Sequence, residues 1–181
     1  MLRNAQYIED NVIIEDKINT KKLGKKAQVG YDLTLKDVYN ITTPGFISKS
    51  KTYVGKYELR RPEKLKYEDI EFEGWFLPQG SYLAETNEGC NLGPNDTAYI
   101  IQRSSLNRNN VETVSSLWDP GFTSKDGDKV NTMTIRINVQ NESGVYIEKD
   151  ARFAQMVVAT SEDTNEYNGQ WQGGQIKSKL L

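Results

Sequence analysis

The chain has 181 residues but no histidine, and its single cysteine is Cys90. Without histidine, Ser-His-Asp and Cys-His nucleophile systems and imidazole general-base chemistry are excluded. So are HExxH proteases and zinc nucleobase deaminases, whose His/Cys ligand sets cannot be assembled here. One cysteine excludes an intramolecular disulfide and fits a reducing compartment. No apolar run approaches the roughly 20 residues of a membrane-spanning helix, and the start MLRNAQYIEDN lacks the apolar core of a signal peptide. No membrane partner is expected, and the expected location is cytoplasmic, with a cellular or viral source left open. Neither a GxxxxGK[ST] phosphate loop nor a GxGxxG fingerprint occurs. The formal charge of -2 is spread over mixed acids and bases with no basic block, so nucleic acid is not expected as a partner. Any catalysis is left to carboxylates, Arg, Lys, Tyr, hydroxyls or a hard metal held by oxygen.

The most informative stretch is residues 102–122, QRSSLNRNNVETVSSLWDPGF. Arg103-Ser104-Ser105 offers a forked cation with neighbouring hydroxyls, the donor set that a phosphate chain needs. Asp119, set in an Asp-Pro-Gly turn, suits a base that orients water for attack on phosphorus. Phe122, three residues on, offers an aromatic face for a sugar or base. Taken singly, RSSL is an ordinary strand end and Asp-Pro-Gly an ordinary turn.

Along the chain, residues 2–11 read as a short helix with Leu2, Ala5 and Ile8 on one side. Val12, Ile13 and Ile14 read as an edge strand, and residues 20–26 as a loop. Tyr31, Leu33 and Leu35 alternate with Asp32 and Thr34, which predicts a strand with Asp32 on the other face, most simply in solvent. Residues 40–70 read as an insertion containing a hairpin, with 60–64 as a charged loop. Strands are expected at 81–88 and 97–101, with a helical turn at 106–111. Met133, Ile135, Ile137 and Val139 give the clearest alternation of all. The Gly- and Gln-rich 165–181 reads as a tail that folds onto something through Trp171. Short strands between Gly/Pro/Asn turns predict a single all-β domain over 1–181, a sandwich or barrel.

In order, GYDL at 30–33, LPQGSYLAETNE at 77–88, RSSLNR at 103–108, SSLWDPGF at 115–122, KDARFAQMVV at 149–158 and YNGQWQGG at 167–174 resemble the motifs of the dUTPase and dCTP deaminase superfamily. The resemblance covers most of the chain and is closest to the deaminase-like or archaeal-type trimeric dUTPases. It implies a distorted jelly-roll or β-clip barrel with a short N-terminal helix. It also implies a homotrimer with sites at subunit interfaces, the tail closing each site, and dUTP hydrolysed to dUMP and pyrophosphate. Mg²⁺ is implied, held mainly by phosphates and water rather than by a protein ligand.

The resemblance also assigns residues. Asp119 is the water-orienting acid, and Asp32 organises the water and metal shell or braces the phosphate-binding Arg. Arg103, Ser104, Ser105 and Gln155 bind phosphates, with Arg152 structural. Phe122 stacks on the deoxyribose and Trp171 covers the base. The hairpin between Val111 and Trp118, including Thr113 and Val114, reads uracil mainly through its backbone. Lys177 or Lys179 is a candidate for the γ-phosphate. The deaminase branch is expected to use a Glu in the strand after Asp-Pro-Gly; that strand, MTIRINVQN, has no acid and places Asn138 there. An amide cannot take and return a proton at neutral pH. The alternatives are a dCTP deaminase or bifunctional deaminase/diphosphatase, and a non-catalytic nucleotide-binding relative.

Overall fold

The computed structural model describes residues 1–15, 29–114, 117–121 and 132–162. Helix α1 (Ala5–Asn11) is shorter than the sequence pattern predicts. Asn4 caps it, its side-chain oxygen accepting from the Tyr7 N–H at 2.8 Å, as short polar side chains do where a helix's first donors lack partners. Leu2 therefore falls outside the helix and bridges Ala159, while Ala5 and Ile8 turn inward.

The remainder is almost entirely strand. β1 (Ile13–Glu15) and β2 (Tyr31–Ile41) precede a small hairpin of β3 (Phe46–Ile47) and β4 (Thr52–Tyr53). Then come β5 (Tyr57–Arg60), β6 (Glu63–Tyr67), β7 (Ile70–Leu77), β8 (Gly80–Cys90) and β9 (Asp96–Gln102). Helix α2 (Ser104–Arg108) leads to β10 (Val111–Val114), β11 (Thr132–Val139), β12 (Val145–Glu148) and β13 (Arg152–Thr160). The expected charged loop at 60–64 is mostly strand. Arg60 pairs with Val38 of β2 and Glu63 with Gly74 of β7, leaving only Arg61 and Pro62 between strands.

The main sheet runs β10-β11-β8-β2-β13-β9, with β1 added on β8 and β5 on β2. Its outer strands β10 and β9 lie against each other, and Trp118 bridges Ala98 of β9, so the sheet nearly closes into a barrel. The expected all-β barrel with a short N-terminal helix is what forms. A three-stranded sheet, β12-β7-β6, packs Trp75, Leu77 and Ile147 onto the same core.

β11 buries Met133, Ile135, Ile137 and Val139 as its alternation predicts. β2 differs, since every residue from Tyr31 to Leu35 is buried. It lies between β8 and β13 and is covered on both faces, so its polar side chains need partners inside. Glu88 of β8, fully buried, accepts from the Thr34 N–H at 2.8 Å and the Thr34 hydroxyl at 2.7 Å. Burial pushes the Glu88 carboxyl above its usual range despite those donors. Asn87 extends the network by donating to Thr34 Oγ1 at 3.0 Å and to Asp150 at 2.9 Å. The Cys90 thiol, also buried, is pushed up to about 12, an inert thiol rather than a reactive one.

Candidate active site

Three adjacent strands build the candidate site. The chain enters β2 at Gly30 with φ +86, and a Cβ there would lie 3.3 Å from the Met156 carbonyl oxygen. The glycine of GYDL thus lets β2 lie close against β13, where Asp32 stands opposite Gln155. On the far side of β13, Ala154 pairs with Gln102, the last residue of β9. Arg103 follows at once, its N–H donating to the Phe153 carbonyl.

Asp32 is only 7% exposed, so it is not the solvated strand residue that alternation alone predicts. Its Oδ2 accepts from Arg103 Nη1 and, at 3.1 Å, from Arg152 Nη1. Its Oδ1 accepts from Gln155 Nε2 at 3.0 Å. Arg152 and Gln155 are three apart and would face opposite ways on a regular strand. The register shifts between Arg152 and Ala154, where Arg152 pairs with Thr34 but Ala154 pairs with Leu33. The inserted Phe153 makes a β-bulge that brings both side chains to one face.

Two guanidiniums around one carboxylate leave a net positive cluster. Each carries five N–H donors and gives Asp32 one nitrogen, which leaves a fork available for an anion. Ser104 and Ser105 open α2 beside them with exposed hydroxyls. A cavity of about 180 Å³ adjoins the cluster, bounded by Ser105 and Arg152 on one side and Val145 and Ile147 on the other. That is below the roughly 300–1,000 Å³ of a pocket enclosing a small ligand.

Asp119 does not join the cluster within one chain. Trp118 bridges Ala98 antiparallel, so Asp119 runs towards the start of β9, whereas Arg103 follows its end. Ala98 to Arg103 is roughly 16 Å of extended strand. Within 111–118, where a hairpin is expected, β10 pairs with β11 and Trp118 with Ala98 of β9, while residues 115 and 116 lie outside the described residues. Trp118 is one of the residues expected to read the base. Its side chain lies in the core, its N–H donates to Ala98, and its carbonyl accepts from the Ala98 N–H and the Thr97 hydroxyl. Val114 is exposed, and Thr113 is buried with an Oγ1 that has no hydrogen-bond partner among the described residues. Phe122, Trp171, Lys177 and Lys179 lie outside the described residues.

One residue escapes the sequence reading, and a second, Arg152, enters it only as structural. Arg152 is a full member of the cluster, visible only once the bulge is known. Glu112 of β10 stands directly opposite Asn138 of β11, a cross-strand neighbour that spacing along β11 cannot reveal. The Asn138 side-chain oxygen accepts from the Ser81 hydroxyl at 2.8 Å.

A family model described as dCTP deaminase-like matches residues 3–161. The probable deoxyuridine 5'-triphosphate nucleotidohydrolase of Archaeoglobus fulgidus is 28% identical over 180 residues, covering 98% of this chain and 94% of that protein. Its namesake from Halobacterium salinarum is 28% identical over 174 residues, covering 95% and 94%. Among solved structures, a 2'-deoxycytidine 5'-triphosphate deaminase from Agrobacterium tumefaciens aligns with a TM-score of 0.55 at 13% identity over 87% of this chain. This chain spans only 47% of that deaminase. A dUTPase from Streptococcus mutans aligns with a TM-score of 0.50 at 13% identity, over 82% of this chain and 88% of its own. At these identities the two structures speak to fold alone, and they share the barrel described above.

Proposed function

This chain belongs to the dCTP deaminase-like family, and from that premise we propose that it is a dUTP diphosphatase, converting dUTP and water to dUMP and pyrophosphate. The observation that carries the reading is the Asp32-centred cluster. A buried carboxylate fixes two guanidiniums and an amide beside two serine hydroxyls, a donor array suited to a triphosphate. Relatives matched over 94% of their length and named probable deoxyuridine 5'-triphosphate nucleotidohydrolases support the same substrate.

In this reading Arg103, Arg152, Ser104, Ser105 and Gln155 hold the phosphates, and Asp32 positions them without touching the reacting atoms. Asp119 accepts a proton from the water that attacks the α-phosphorus. The P–O bond to the β-phosphate breaks, and pyrophosphate leaves. Phe122 and Trp171 serve the sugar and base, and the Thr113 hydroxyl and the β10 backbone take part in base selection.

Mg²⁺ fits as a phosphate-bound ion. Asp32 is committed to three donors, and among the described residues no group of three or more Asp, Glu or Cys side chains gathers to hold a metal. When bound, the ion would neutralise charge on the phosphates while keeping mostly phosphate and water ligands.

The roughly 16 Å of strand between Ala98 and Arg103 and the small cavity support sites shared between copies. One copy would bring its Asp119 to the Arg103 cluster of another, and a homotrimer closes such a head-to-tail arrangement. The test is Asp119→Asn. Turnover should fall by about 10²–10⁴-fold while nucleotide binding persists; full activity would contradict the assignment.

A second reading, dCTP deamination with or without phosphate hydrolysis, is favoured by Glu112 opposite Asn138. Glu112 is exposed, whereas a general acid and base for ring chemistry works best where burial or neighbours tune it. Diphosphatase action therefore ranks first. A purely binding role would have no use for Asp119.

A further inference from the structure

The outward face of the three-stranded sheet is apolar and exposed. Alternation sends Trp75, Leu77 and Ile147 into the core and sets Leu65, Tyr67, Ile70, Phe72, Phe76 and Tyr146 on the opposite face. Tyr67 is 52% exposed, Ile70 64% and Tyr146 42%. These are not scattered residues. The Tyr146 ring lies 4.9 Å from Phe76, 5.5 Å from Tyr67 and 6.3 Å from Phe72, centre to centre. An antiparallel sheet that covers a core usually turns polar residues outward, and a contiguous apolar patch marks an interaction site. The charged residues of this face are Glu63 and Glu148, with Glu68 and Asp69 at the β6–β7 turn. Lys64 and Lys66 point the other way, opposite Glu73 and Glu71.

The same chain carries a surface of complementary character. The β3–β4 arm exposes Phe46 (61%), Ile47 (82%) and Tyr53 (52%). Phe46 and Tyr53 stack with ring centres 6.3 Å apart, and the Lys51 ammonium sits 5.0 Å over the Tyr53 ring. Residues 42–57 hold Lys49, Lys51 and Lys56 and no acid. Residues 63–73 hold five acids and two lysines. An isolated two-stranded hairpin is marginal in water, so an arm this apolar gains from a surface to lie on.

We propose that the β3–β4 arm of one copy docks on the outward face of β6, β7 and β12 of a second copy. Phe46, Ile47 and Tyr53 meet the aromatic patch, and Lys49 and Lys51 face Glu63 and Glu148. Two different surfaces meet, so the contact is head-to-tail and closes a ring when the rotation allows. Like-charged acids on both sides disfavour the alternative, two such faces packed on each other. The inference goes beyond the proposed reaction and does not depend on it.

Disulfide trapping tests it directly. A full-length Ile47→Cys chain is mixed with a Phe76→Cys chain under mild oxidation, and covalent dimers are read on a non-reducing gel. Both positions are exposed and the native Cys90 is buried, so the background is low and folding is preserved. Dimers in the mixture, with little from either chain alone, are expected. Adding Lys49→Glu and Lys51→Glu to the arm chain should cut the yield several-fold, and Glu63→Lys with Glu148→Lys in the other chain should restore it. Dimers from Phe76→Cys alone would mean that the faces pack on each other and would overturn the proposal. So would no cross-link in the mixture, or a yield indifferent to the charge reversals. Nucleotide turnover measured alongside separates this outcome from the fate of the proposed reaction.

Discussion

Asp32 and Arg103, 71 residues apart in sequence, meet as an ion pair where β2, β13 and the end of β9 come together. Asp32 is nearly buried and Arg103 about a quarter exposed. The carboxylate therefore acts as an internal anchor, while the guanidinium keeps one side towards solvent. Arg152 and Gln155 share the same anchor, so one side chain sets the geometry of three.

Asp32→Asn keeps the shape and removes the charge. One face of the new amide presents N–H groups to guanidiniums that cannot accept, and the two cations lose their shared counter-ion. An unsatisfied buried donor costs about 1–3 kcal/mol, and because solvent reaches both Arg103 and Arg152 the loss should lie at the lower end of that range. Urea denaturation should show that loss. KM for the nucleotide should rise more than kcat falls, because the groups proposed to hold the phosphates splay while Asp119 is untouched. Unchanged stability and KM would mean that Asp32 does not brace the cluster.

The bulge at Phe153 gives a second test. Phe153 is fully buried, and its insertion turns Arg152 and Gln155 to one face. Phe153→Ala should cost about 3–5 kcal/mol, seen as a lower Tm. Nucleotide affinity should fall even at temperatures where the variant is fully folded. Lost stability with full affinity would make the bulge a packing feature only.

Glu88 makes stability depend on pH. Burial raises its folded-state pKa above the ordinary 4.5, so the folded protein holds this proton more tightly than the unfolded chain does. That contribution is complete below the unfolded value and is lost as pH rises through the folded one. Glu88→Gln is neutral throughout. The Tm of the native chain minus that of Glu88→Gln should therefore fall as pH rises from about 4.5 and then level off. A difference that is flat or grows with pH would contradict the raised value.

Much of this was legible in the sequence because β11 and β9 bury one face each and alternate plainly. The N-terminal helix and the all-β class follow from period and turn residues, and the barrel from the family resemblance. Alternation alone puts Asp32 in solvent because it reports that a side chain points to a strand's second face, not what covers that face; here it is the Arg103 cluster. Spacing cannot place Arg152 on the same face as Gln155, because a one-residue bulge reverses parity without any sequence mark. Glu112 was missed because it neighbours Asn138 across strands. Trp118 looked like part of a ligand-facing hairpin, yet its segment pairs with β9 and its ring fills the core. Leu2 matched the helical stripe, but the Asn4 cap fixes the helix start beyond it.

The most direct test of the proposed chemistry is product analysis. The full chain is incubated with Mg²⁺ and either dUTP or dCTP, the nucleotides are separated by ion exchange, and pyrophosphate and ammonia are assayed. The expected result is dUMP and pyrophosphate from dUTP, with dCTP unchanged. Ammonia with dUTP or dUMP arising from dCTP would contradict it, and would point to Glu112 as the acid that Asn138 cannot be.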